Sequence, residues 1–150
     1  MPKIEGLLTG RPPVTLAGTA TVLEAARLMA DNNIGCVLIV DDRGRPEGIF
    51  SERDLMRRVV VAGLEPADVL LADVMTRELY TAHRSDSVAD VRRQLQTRHI
   101  RHLPVLEGEL AVEMLSLRNL LAADLAATKF EKRAMTEYIQ GSVDAPRKQG

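Results

Sequence analysis

One cysteine, Cys36, in 150 residues excludes an internal disulfide framework and any zinc site built from several thiolates. Tryptophan is absent and aromatics make up 3% of the chain, so there is no stacking platform for single-stranded nucleic acid. Neither sign of charge dominates: 20 Lys+Arg against 21 Asp+Glu give a formal net charge of -1, with no basic field to attract DNA. No uninterrupted apolar run approaches the roughly 20 residues of a membrane-crossing helix. The opening Met1-Pro2-Lys3-Ile4-Glu5 lacks the apolar stretch of a secretory leader. The expectation is a soluble cytoplasmic protein, with neither nucleic acid nor membrane as partner. What is present, 45% apolar and 27% charged residues, is an ordinary globular balance.

The chain repeats itself. Val88, Ile100 and Val105 lie 66 residues after Val22, Ile34 and Ile39, and Ser116 and Asn119 lie 65 after Ser51 and Asp54. One residue is therefore lost between the paired strands of the second copy. Each copy reads strand, helix, strand, strand, helix. Val22, Ala25, Ala26 and Met29 recur at helical spacing and form one apolar stripe. Thr21 with Glu24, and Ser87 with Asp90, have capping-box spacing at the two helix starts. Cys36 to Val40 and His102 to Leu106 read as short buried strands, and the first strands are expected at Val14-Thr15-Leu16 and Leu79-Tyr80-Thr81. Asp41-Asp42-Arg43-Gly44-Arg45-Pro46 and Glu107-Gly108 supply the turns.

A unit of about 60 residues buries too little surface to be robust alone, so the copies are expected to pack together about a pseudo-twofold axis. The expected fold is α/β (α+β): two β-α-β-β-α repeats over 10–63 and 79–124, joined by a linker over 64–78 with a short helix within Asp68 to Met75. A C-terminal helix over 125–140 and a frayed tail over 141–150 complete the expectation.

Gly48-Ile49-Phe50-Ser51-Glu52-Arg53-Asp54-Leu55 and Ile100-Arg101-His102-Leu103-Pro104-Val105, in order within a two-copy repeat, closely resemble the cystathionine-β-synthase (CBS) domain family, whose members occur as tandem pairs. The resemblance covers roughly residues 10 to 124. It implies a regulatory module, not an enzyme, that binds adenine nucleotides in clefts between the repeats and associates into flat, disc-like homodimers. AMP, ADP or ATP is the implied ligand, with S-adenosylmethionine a further member of that class. No cofactor is required, and the regulated partner protein is not identified by the resemblance.

The resemblance also implies roles for residues. Asp54 matches the ribose-binding position, with Ser51 beside it, and an ionised carboxylate is the best matched acceptor for a diol. Ser51 and Asp54 equally have the spacing of a helix cap, and both roles can coexist. Arg101 and His102 match phosphate contacts, with Arg53 and Arg118 as secondary candidates; ordinary solvated residues are the other reading of all four. Thr15, Leu16 and Ile34 in the first repeat, with Thr81 in the second, match the adenine slot. In the second repeat Ser116 and Asn119 replace the Ser51 and Asp54 pair, and an amide holds a diol less well than a carboxylate. Glu113 stands where the first repeat has Gly48, either crowding the cleft and repelling phosphate or pointing to solvent. The expectation is a strong cleft at Asp54 and a poor one at Asn119.

Two rival classes are weighed against this. An enzyme would draw on His83, His99 and His102, but no carboxylate pair completes a metal set, and no catalytic site is assigned. Cys36 on its strand reads as a small buried hydrophobe. The stronger rival is a dimerisation or partner-docking module with vestigial clefts, using Val59-Val60-Val61 and the C-terminal helix.

Overall fold

The computed structural model describes residues 2–149. β1 (Thr15–Ala17), α1 (Val22–Asn32), β2 (Cys36–Val40), β3 (Pro46–Ser51) and α2 (Glu52–Asp54) form the first repeat. α2 widens into a π-helical stretch over Leu55–Val60, which buries Val59 and leaves Met56 and Val60 outside. β4 (Ala82–His83), α4 (Val88–Arg98), β5 (His102–Glu107), β6 (Leu110–Ser116) and α5 (Leu117–Gln149) form the second, with α3 (Leu71–Val74) between the copies. Each repeat holds a three-stranded sheet in sequence order, its first strand parallel and its third antiparallel to the middle one.

The local signals act as their chemistry requires. The Thr21 hydroxyl accepts from Glu24 N–H at 3.2 Å, while Glu24 accepts from Thr21 N–H at 2.7 Å. At α4 the cap is half of this: Ser87 accepts from Asp90 N–H at 3.1 Å, and the Asp90 carboxylate lies beside Arg93. Both helices end on a left-handed residue, Asn33 (φ 52°) and His99 (φ 54°), whose N–H closes the last turn. The Asp41 carboxylate accepts three bonds from Arg43 and Arg45 in its turn.

Two expectations change. The strand expected over Leu79–Thr81 begins only at Ala82, leaving Leu79 and Tyr80 to line a cleft. The linker helix lies within its expected span as α3, preceded by a 3-10 turn over Pro66–Asp68. The helix expected over 125–140 is the continuation of the repeat's own last helix, and the backbone expected to fray over 141–150 is helical as far as Gln149.

The halves trade arms. Residues 2–10 precede the first repeat yet dock on the second: Ile4 is fully buried among Val88, Val91, Leu95, Leu103 and Leu115. Residues 69–76 precede the second repeat yet dock on the first, where Leu71, Val74 and Met75 pack with Val22, Val37 and Phe50. The docking bonds match one for one. Ile4 N–H donates to Asp86 O at 3.0 Å, as Leu71 N–H does to Ala20 O at 2.9 Å. Val88 N–H donates to Pro2 O at 3.0 Å, as Val22 N–H does to Val69 O at 2.9 Å. The arms are thus a further repeated piece that the strand–helix pattern does not mark.

Candidate functional site

At the junction of β3 and α2 the backbone turns from strand to helix on Ser51 (φ -112°). The Ser51 hydroxyl accepts from Asp54 N–H at 3.2 Å, and Asp54 Oδ2 accepts from Ser51 N–H at 3.0 Å. The same carboxylate faces the linker arm: the Thr76 hydroxyl donates to Asp54 Oδ1 at 3.3 Å, and Arg58 Nε lies 3.6 Å from that oxygen. Arg58 Nη1 in turn donates to Val74 O and Met75 O at 3.0 and 3.1 Å. Asp54 therefore caps α2, ties it to the arm and still borders open space.

That space is a cleft of about 560 Å³ shared by both halves. The first half brings Gly35, Ile49, Ser51, Glu52, Arg53, Asp54, Met56 and Arg57; the second brings Thr76, Glu78, Leu79, Tyr80, His99, Ile100, Arg101, His102 and Pro104. Ile49, Leu79, Tyr80, Ile100 and Pro104 offer apolar surface, and the Tyr80 ring is held by Arg98 at 3.8 Å on one face and by a 2.7 Å bond from its hydroxyl to Glu78. Such a mixture, apolar walls with a few convergent polar groups, is what small-molecule sites share. A second hollow of about 590 Å³ between β1 and α1 has Glu24 and Arg27 among apolar residues, without a comparable convergence.

Five residues singled out from the sequence meet in the cleft: Ser51, Asp54, Arg53, Arg101 and His102. The others do not. Thr15 is exposed on β1, Leu16 lines the other hollow, and Ile34 packs on the first core. Thr81 stands just outside, where its neighbour Tyr80 faces in. The reason is the exchange of arms: the segment beside Asp54 is 76–80, the approach to the second repeat, and not the approach to the first. Ser116, Arg118 and Asn119 stand at the corresponding corner of the other half, where Asn119 N–H donates to the Ser116 hydroxyl at 3.1 Å and that hydroxyl donates to Asn119 Oδ1. The residues missed from sequence, Thr76 and Glu78 to Tyr80, had one signal: Thr76 follows Leu71, Val74 and Met75 as Thr9 follows Ile4, Leu7 and Leu8.

Burial shapes the titrating groups. It lowers the pKa of His102 below its ordinary 6.5; nearby Glu52 works against that shift and Arg101 with it. The ring is therefore neutral at pH 7. The Cys36 thiol is pushed up to about 12 by burial, with Asp54 and Glu52 adding to it, so it is a packed thiol and no nucleophile. Glu113 neither fills the cleft nor meets solvent. Buried at 7% exposure, it accepts from Thr9 N–H at 3.0 Å and Gly10 N–H at 2.8 Å. No group of three metal-ligating side chains converges among the described residues, and none of their helices is long and apolar enough to cross a membrane.

With a cleft shared by two β-α-β-β-α halves in place, the comparison with known proteins identifies the family. The CBS domain family matches residues 6–61 and 71–126. This chain belongs to the CBS domain family. It is similar to the mitochondrial CBS domain-containing protein CBSX3 of Arabidopsis thaliana, 28% identical over 125 residues, covering 81% of this chain and 61% of that one. A CBS-domain protein of Agrobacterium tumefaciens superposes with a TM-score of 0.77 at 26% identity, covering 81% of this chain and 98% of that one. A CBS domain protein of Pyrobaculum aerophilum solved in complex with AMP gives a TM-score of 0.71 at 30% identity, covering 78% of this chain and 88% of that one. The chain spans 52% and 61% of the first two curated relatives it matches.

Proposed function

We propose that this CBS pair is a regulatory module that binds an adenine nucleotide in the Asp54 cleft and performs no chemistry of its own. The observation that carries the reading is the meeting of Asp54 and Ser51 from one half with Arg101 and His102 from the other around one cavity. Asp54 accepts the ribose diol, Arg101 and His102 meet the phosphate with Arg53 and Arg57 beside them, and the base lies against Ile49, Leu79, Tyr80 and Ile100. AMP is the first ligand to try, since a relative has been solved with it. ADP, ATP and S-adenosylmethionine share the adenosyl group and are the alternatives.

Occupancy becomes a signal through the linker arm. A diol that takes Asp54 competes with Thr76 and Arg58 for the same carboxylate oxygens, and so alters how the two halves are tied. We read the chain as acting in the cytoplasm as a homodimer that reports to a partner protein. Met56 and Val60 are 51% and 61% exposed, and their counterparts Leu121 and Leu125 are 55% and 58% exposed. A twofold-matched apolar face of this kind suits an isologous contact with a second copy. The same face supports a second reading, a docking module whose clefts are vestigial.

Thermal shift and calorimetry with AMP separate the readings. A ligand bound by the native state alone stabilises it by about 2.7 kcal/mol at a hundredfold excess over Kd. A shift with AMP that Asp54→Ala abolishes supports the nucleotide site. No shift with AMP, ADP, ATP or S-adenosylmethionine leaves the docking module standing.

A further inference from the structure

Gly48 and Glu113 occupy corresponding positions on β3 and β6, and the arms beside them are held in different ways. In the first half the arm pairs with the strand: Ile49 and Thr76 exchange two backbone hydrogen bonds, each 2.9 Å. Glycine leaves room for it: a Cβ at Gly48 would stand 2.6 Å from Met75 Sδ and 3.0 Å from Thr76 O, so a larger residue requires the arm to shift. So docked, the Thr76 hydroxyl reaches Asp54.

In the second half the equivalent bridge, Thr9 to Met114, is absent among the described residues. The Glu113 carboxylate stands in for it, accepting from Thr9 N–H at 3.0 and 3.1 Å, from the Thr9 hydroxyl at 3.3 Å and from Gly10 N–H at 2.8 Å. Gly10, at φ 79°, turns in a way that few other residues would. The threonine hydroxyl that in the first half supports the carboxylate corner is thus bonded to Glu113 in the second.

We infer that Glu113 limits the chain to one nucleotide site by capturing Thr9 and keeping the N-terminal arm from pairing with β6, so that the corner at Ser116 and Asn119 is never completed. This rests on the reading of the Asp54 cleft as a nucleotide site. It makes Glu113 a positioning residue, acting through the arm and not by contact with a ligand.

Two measurements test it together. Amide hydrogen exchange reads the arm: the Met114 N–H is expected to slow by about tenfold or more in E113G, as it gains the partner that Ile49 has in the first half. E113A carries the same test should E113G fail to fold. Calorimetry with AMP reads the site: one AMP per chain in wild type and in N119D, and two in E113G/N119D, the second weaker because Gly35 and Cys36 bring no cation where Arg101 and His102 stand. Unchanged Met114 exchange in both E113G and E113A overturns the inference. So does a second site in N119D alone, or a double variant that slows at Met114 yet still takes up one AMP. Wild type that binds no AMP at all overturns the nucleotide reading instead, and Met114 exchange then decides the capture of the arm by itself.

Discussion

The two halves have the same sheet order, the same left-handed helix ends and the same Ser-x-x-Asp/Asn cap, yet their polar corners differ at nearly every position that would touch a nucleotide. Asp54 faces Asn119, Thr76 faces Thr9 bound to Glu113, and Arg101 and His102 face Gly35 and Cys36. By the register of the adjoining strands, Leu79 and Tyr80 correspond to Pro13 and Val14. What the halves share is what folding needs: strand burial, capping and the docking of one arm. What they do not share is the set of charges and donors that a sugar-phosphate needs. Two matching scaffolds thus stand side by side, and the proposed nucleotide site draws Asp54 from one and Arg101 and His102 from the other.

The largest test of this contrast is a pair of substitutions. Charge-assisted hydrogen bonds contribute about 1.5–3 kcal/mol, so Asp54→Ala is expected to weaken AMP binding by roughly ten- to a hundredfold in calorimetry. Asn119→Ala is expected to leave it within about twofold; an equal loss in both would erase the distinction between the corners.

The arms give the next effect. Gly48→Ala drives a methyl into Met75 and the Thr76 backbone, and overpacking of this kind costs about 1–3 kcal/mol, to be read as a lowered Tm. Gly6→Ala on the other arm has nothing within 4 Å of the new Cβ and is expected to change stability by no more than about 0.5 kcal/mol.

Arg101→Ala sharpens the phosphate end. AMP binding is expected to fall by about three- to tenfold while adenosine, which lacks the phosphate, binds as before. Equal losses for both ligands would place Arg101 elsewhere in the recognition.

The smallest effect is in pH. Because burial holds the folded His102 below 6.5, the unfolded chain takes up a proton first as pH falls, and that share of stability is lost from about 6.5 downward. A bound phosphate favours the imidazolium, so AMP affinity should rise by about two- to threefold from pH 7.5 to 6 relative to His102→Ala. Calorimetry across that range checks the difference. The other half has no such dependence to offer, since Cys36 in the matching position stays a neutral thiol.

Much of the fold was legible because its signals are local. The α1 stripe, the Thr21 and Ser51 caps and the Asp41 turn all act within a few residues, and the structure has each of them. The family resemblance named Asp54, Arg101 and His102 together, and the structure has all three lining one cleft. Thr15, Leu16 and Ile34 lie outside the Asp54 cleft, and Glu113 had two readings of which neither is its actual bond to the arm.

Residues 2–10 and 69–76 show where local patterning stops. Their apolar positions state that both segments must be buried, but not against which half, and each crosses to the repeat it does not precede. Periodicity, capping and duplication, set by neighbours along the chain, were determined by the amino-acid sequence alone. Which loop closes over Asp54, and whether Thr9 answers to Asn119 or to Glu113, was decided by contacts between segments as much as 104 residues apart, and only packing in three dimensions brings those together.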